Sequence, residues 1–288
     1  MSMWRKISIN PWFIVILALY LAGGQGIRIA LAFFVITLHE LTHAIIADSY
    51  GCTVERIELW PFGGIARISG ISQQEPYVEA MIAVAGPLQN FFLASAAWGM
   101  AQWLPVSPQW IHLFIEMNLG LGLLNLLPVA PLDGGHLARL YLSRTIGYDA
   151  AERRVVQGGL WLARGLFVVT ILSFLTPRPL ISVGVFAVFI YWGAKHSPRP
   201  AAYLIVRDLA LRPIWLRKRP VWALDDFAVH CETPLGDVLR VMRPMKYHRV
   251  IVLSPDLKKM GTLYEEDLLR GLEEWGPTVA LQELLAAR

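Results

Sequence analysis

Charge is scarce in this chain: only 17% of its 288 residues are Asp, Glu, Lys or Arg, against 55% hydrophobic residues. A soluble domain carries about 25% charged residues on its wetted surface. Together with a mean hydropathy of +0.47, the shortage excludes a wholly water-exposed globule and points to a membrane protein. Cysteine is scarcer still. Cys52 and Cys231 lie far apart in sequence, which suggests neither a disulfide framework nor a cysteine-based metal cluster. A small-residue cleavage pattern is also missing after the basic, then apolar, start at Met1 to Gly24, so this stretch reads as a retained helix rather than a removed leader. The net charge of +4 does not imply nucleic acid, because the basic residues flank apolar runs as membrane-proximal charges do.

Six apolar segments are present: Ile9–Ala22, Ile27–Ala47, Val78–Leu104, Ile111–Leu127, Gly159–Leu175 and Leu180–Ala194. Several approach the roughly 20 residues that cross a hydrocarbon core, while the first and last are short. The expected fold is an all-α polytopic membrane protein of about six transmembrane helices, residues 1–197. With the N-terminus in the cytoplasm, that side receives Arg5, Lys6, Arg56, Arg67, Arg139, Arg144, Arg153 and Arg154, and the opposite side only Arg28 and Arg178. The asymmetry obeys the positive-inside rule, and an even number of spans puts both termini in the cytoplasm, as for a multi-pass membrane protein. The basic stretch from Arg139 to Arg154 reads as a connector. Asp48–Tyr77 reads as a polar loop whose Trp60-Pro61-Phe62-Gly63-Gly64 piece either dips into the membrane or turns at its interface.

After Pro198 the composition turns polar. Residues 198–223 read as a linker and 224–288 as a small α/β domain, with helices at Leu235–Met242 and Glu265–Leu272 and strands at Arg249–Leu253 and Gly261–Tyr264.

The chemistry gathers in two places. The second segment ends Leu38-His39-Glu40-Leu41-Thr42-His43. A spacing of i, i+4 sets both imidazoles on one helix face about 6 Å apart along the axis, where they can grip one ion, and Glu40 beside them can take a proton from an activated water. Such polar groups are costly in a spanning helix, so a functional role is the default. The fourth segment ends Asn125-Leu126-Leu127-Pro128-Val129-Ala130-Pro131-Leu132-Asp133-Gly134-Gly135. Prolines break the helix and glycines let the backbone bend, so Asp133 can be presented to a site on another helix. Both segments run from the outer to the inner side, which puts His39, His43 and Asp133 at one depth. His136, three residues on, is the alternative third ligand. His112, His196, His230 and His248 have no ligand spacing, and surface or interfacial roles suffice for them.

His-Glu-x-x-His paired with a later Leu-Asp-Gly resembles the site-2 protease family of intramembrane metalloproteases. The likeness extends to Ala85-Gly86-Pro87-Leu88-Gln89-Asn90 and to the loop Pro61–Gly64. It implies one Zn2+ per chain held by His39, His43 and Asp133, with Glu40 as catalytic acid and base. Within that reading Asn125 is the candidate oxyanion donor, and Pro61, Phe62, Gly63, Gly64 and Asn90 are candidate substrate contacts. The C-terminal strand and helix order resembles a single cystathionine-beta-synthase (CBS) motif. That implies ATP or another adenine nucleotide as a ligand and pairing with a second subunit, so a homo-oligomer. Six spans followed by one such motif resemble the branch of the family that processes a membrane-associated sigma-factor precursor in sporulating bacteria. Membrane inhibitory or regulatory proteins are further expected partners. The rival classes are a CBS-gated transporter or metal-handling protein, which would need polar residues along a path through the whole membrane, and an inactive scaffold, against which Glu40 stands.

Overall fold

The computed structural model describes residues 7–9, 26–60, 63–69, 74–103, 106–177, 179–196, 221–244 and 246–287. By packing, the chain divides into two units: Met1–Leu137 with Gln157–His196, and Ala138–Val156 with Ser197–Arg288.

The protein is mostly helical. α1 (Gly26–Ser49), α2 (Pro76–Met100) and α5 (Tyr148–Ser173) are long and apolar enough to cross a membrane. At 1.5 Å per residue their 24 to 26 residues extend roughly 36–39 Å, more than the ~30 Å hydrocarbon core. α3 (Pro108–Asn125) and α6 (Ile181–His196) are shorter, at 18 and 16 residues. Phe92 on α2 and Ile171 on α5 are 69% and 67% exposed, a surface suited to lipid chains rather than to water. Of the expected first span, residues 10–22 lie outside the described residues.

Three differences from the sequence expectations have physical reasons. Ile7–Ile9 is a strand, β1, which pairs in parallel with β2 (Thr53–Trp60). The stretch expected as a polar loop is a hairpin of β2 and β3 (Gly63–Ser69), in sheet order β1-β2-β3. A register shift between Val54 and Arg56 interrupts the period-2 pattern and hides the strand. The basic stretch is also not a connector. It forms α4 (Asp133–Ile146) and the first turns of α5, separated by the single residue Gly147. Arg139 reaches Glu152 across that break with Nε 2.7 Å from Oε2, both side chains nearly buried, and Arg153 pairs with Asp149 one turn back. Paired arginines are compatible with a helix, whereas the same residues read as loop charges when their partners are unseen.

In the second unit β4 (Ala223–His230) runs parallel to β5 (Lys246–Leu253), and β5 pairs antiparallel with β6 (Lys259–Tyr264). Helices α7 (Leu235–Val241), α8 (Glu265–Trp275) and α9 (Leu281–Ala286) belong to the same unit, as do the end of α4 and the start of α5. β5 turns His248, Val250 and Val252 inward, and Leu235, Leu263, Leu268 and Leu281 close the core around them. β4 was not expected because Asp225 and Asp226 sit in its middle, where strand propensity is low. His248, expected at the surface, is wholly buried.

Candidate metal centre

α1 carries His39 and His43 one turn apart, as the spacing requires, and both rings are sealed: their side chains are 3% and 9% exposed. Burial of an imidazole demands partners for its nitrogens. Nδ1 of His43 lies 2.7 Å from the carbonyl oxygen of Ile82, and a carbonyl can only accept. Nδ1 therefore carries a proton, and in the neutral ring, the form in which histidine ligates a metal, Nε2 keeps its lone pair. Nδ1 of His39 lies 3.1 Å from Oδ1 of Asn90, whose amide Nδ2 points at the carbonyl of Asn118, 3.5 Å away. The same tautomer follows for His39. Fixing the outer nitrogen in this way aims the inner one at a metal.

The inner atoms converge. His39 Nε2, His43 Nε2 and Asp133 Oδ2 stand 3.2 Å from one another along all three edges. Three lone-pair atoms at that separation have no proton to share among them in these tautomers, so their mutual repulsion calls for a cation at the centre. A tetrahedron of 3.2 Å edge has its centre roughly 2.0 Å from each vertex, the bond length of zinc to nitrogen or oxygen. The residues present fit such an ion.

Two close approaches make the triangle. A Cβ at Gly86 of α2 would stand 2.6 Å from Cε1 of His39 and closer still to Nε2 of His43, so only glycine lets α2 lie against both rings. Asp133 opens α4 after a turn that includes a cis Ala130-Pro131 bond. Gly134 lets that turn fold tightly, since a Cβ there would overlap the carbonyl oxygens of Leu126 and Leu127. Behind it, Leu132 packs against Ala163 of α5 and Ile190 of α6. Asp133 remains 25% exposed.

The other expected residues fall as follows. Glu40 follows His39 on α1 and is half-buried. Asn90, expected at the substrate, is fully buried with its Oδ1 turned to Nδ1 of His39. Asn125 is half-buried at the end of α3, with its amide donating to Leu121 O at 3.2 Å. Pro61 and Phe62 lie outside the described residues. Gly63 and Gly64 open β3, paired with Trp60 and Leu59. His136 does not join the triangle; its Nε2 faces Glu79 Oε2 at 3.4 Å. The carbonyl of Ile82, Asn118 and Glu79 were missed by sequence reasoning, and Gly86 entered it only as part of a motif, without its contact with the rings. The run Gly86-Pro87-Leu88-Gln89-Asn90 was its one available signal.

Comparison with known proteins bears on the same region. The model of peptidase family M50 matches residues 27–109 and 100–166, which hold both His39-Glu40 and Asp133. The chain is also 28% identical to a site-2 protease of Methanocaldococcus jannaschii whose structure is solved, with a TM-score of 0.57 over 67% of this chain and 91% of that one. The chain belongs to peptidase family M50. Among M50 relatives it is 29% identical to stage IV sporulation protein FB of Bacillus subtilis, over 92% of this chain and 90% of that protein. It is 28% identical to a zinc metalloprotease of Methanocaldococcus jannaschii, over 76% of this chain and 64% of that protein. As an M50 peptidase it is a metalloprotease of the site-2 type, and its apolar helices agree with a membrane protein.

Proposed function

We propose that this M50 peptidase is a zinc endopeptidase that cuts a membrane-associated protein within or beside the bilayer, with His39, His43 and Asp133 as metal ligands. The carrying observation is the equal-sided 3.2 Å triangle of donors whose tautomers leave all three lone pairs facing inward. When bound, zinc supplies Lewis acidity, bringing the pKa of a water toward about 7 and polarising a carbonyl. Glu40, next to His39 on the same turn, accepts the proton of the attacking water. It then delivers that proton to the amine nitrogen as the carbon–nitrogen bond breaks. Asn125, the last residue of α3, exchanges its bond to Leu121 O for one to the developing oxyanion. Asn90 contributes by orienting His39.

A helical substrate hides its peptide bonds and must arrive locally unwound. In the sheet order β1-β2-β3, β3 is one of the two edge strands, and an extended segment can add to such an edge. Pro61, Phe62, Gly63 and Gly64, at or next to the start of β3 in sequence, are the proposed substrate contacts. Likeness over nine-tenths of both chains to a sporulation protein supports a sigma-factor precursor as substrate and membrane inhibitory proteins as regulators. Positive-inside asymmetry supports six spans with both termini cytoplasmic and a membrane domain of residues 1–197. After a linker at 198–223, the strand and helix order of 224–288 supports a CBS-like domain, with adenine nucleotide and a second subunit as its candidate partners.

The test is cleavage of a candidate sigma-factor precursor by the purified full-length protein, with and without chelator. Cleavage that a chelator stops and zinc restores is expected, with Glu40→Gln inactive but still zinc-loaded. Activity of Glu40→Gln equal to the parent's would reject Glu40 as the base.

A further inference from the structure

One face of α2 reaches the metal centre at several points. Glu79, Ile82, Gly86 and Asn90 follow one another at spacings of three, four and four residues, which at 100° per residue confines them to roughly 80° of arc. Asn90 holds His39, the carbonyl of Ile82 holds His43, and Gly86 clears room for both rings. The third ligand comes from another helix and needs its own fixation.

Glu79 is placed to supply it. Its side chain is 3% exposed, and Oε2 lies 3.4 Å from Nε2 of His136. His136 belongs to the first turn of α4, where its backbone N–H donates to Leu132 O at 3.2 Å, and Asp133 opens the same turn. A buried carboxylate is costly to move away from its partners, so this contact ties the start of α4 to the helix that orients both imidazoles. We propose that Glu79 is a positioning residue for the metal centre, acting through His136 to fix the first turn of α4, and with it Asp133, on the ligand-orienting face of α2. The tether rests on the reading that His39, His43 and Asp133 hold zinc. It makes α2, which contributes no ligand, the template for all three.

Zinc affinity of the full-length protein in detergent, measured by competition with a chromophoric chelator, tests the tether without recourse to proteolysis. Partners that orient a ligand typically cost 10–100-fold in metal affinity when removed. For this more remote contact, His136→Ala and Glu79→Gln are each expected to weaken zinc roughly 10-fold, and to alter the visible spectrum of the cobalt-substituted protein. If the two residues act as one unit, the double variant loses no more than the worse single one. The exchanged pair E79H/H136E regains part of the affinity. A contact that only stabilises the fold would lower the thermal midpoint and leave zinc affinity and the cobalt spectrum unchanged. That result in His136→Ala, whose side chain is partly accessible and whose folding does not depend on replacing a buried group, overturns the proposal even if Glu79→Gln fails to fold. Additive losses in the double variant overturn it as well. A parent protein that binds no zinc would instead overturn the metal-site reading, so the two failures are distinguishable.

Discussion

Both units of the molecule bury histidine, and they do so in opposite ways. In the second unit His248 has no exposed surface, yet both of its nitrogens are satisfied within the protein. Nε2 accepts from the backbone N–H of Arg243 at 3.1 Å, Nδ1 donates to Oε1 of Glu265 at 2.8 Å, and the ring stacks on Phe227. In the first unit His39 and His43 each have one nitrogen satisfied and the other aimed at a second imidazole and a carboxylate. Burial alone therefore says little about the role of a histidine. A ring with both ends matched is a structural part, and a group of rings whose matched ends all face outward is a socket.

Several substitutions would break or sharpen that contrast. The largest effects belong to the socket: His43→Ala is expected to abolish zinc binding and cleavage together. Glu40→Gln should lower kcat by at least ~10³-fold while zinc content stays near that of the parent. Metal analysis beside a cleavage assay separates the two. Next comes Gly86→Ala, which pushes a methyl group into both rings; a loss of roughly 10–100-fold in zinc affinity is expected, and unchanged affinity would mean that α2 can shift freely. His248→Ala should reverse the pattern. It leaves Glu265 and the Arg243 N–H without their ring partner, at a cost of about 2–4 kcal/mol to the second unit, with the zinc affinity of the first unit unaltered. Loss of zinc there would erase the distinction between the two settings.

The smallest effect lies on the surface of β4 and β5. The Arg249 guanidinium, 3.0 and 2.5 Å from the two Asp226 oxygens, holds that carboxyl below its ordinary range. A depressed carboxylate pKa contributes stability above its unfolded value, near ~3.9, and loses it as pH falls through the folded value. Arg249→Gln should raise the titration midpoint of Asp226, read by NMR, and barely move the melting temperature at pH 7.

Residue types and local spacing carried part of this picture in advance. His39, Glu40 and His43 are legible because a helix turns i, i+4 into adjacency, and Asp133 because proline and glycine announce a break beside a lone acid. The outward-facing partners were not legible. Ile82 acts through a backbone carbonyl, which every residue owns, and the contacts of Asn90 with His39 and of Glu79 with His136 cross between helices, where no local pattern encodes them. The hairpin was hidden by one shifted residue between Val54 and Arg56. The helical character of the Arg139 region was hidden because Glu152, the partner of Arg139, lies beyond the break between α4 and α5.

In the proposed zinc site, the uneven sealing of the three donors would set the route by which an ion is exchanged. With both imidazoles closed in by α2 and the carboxylate the most exposed of the three, an arriving cation would meet Asp133 first and the rings last. Departure follows the same path in reverse. Any partner or lipid that covers the start of α4 would thus act as a bolt on metal turnover without touching either histidine.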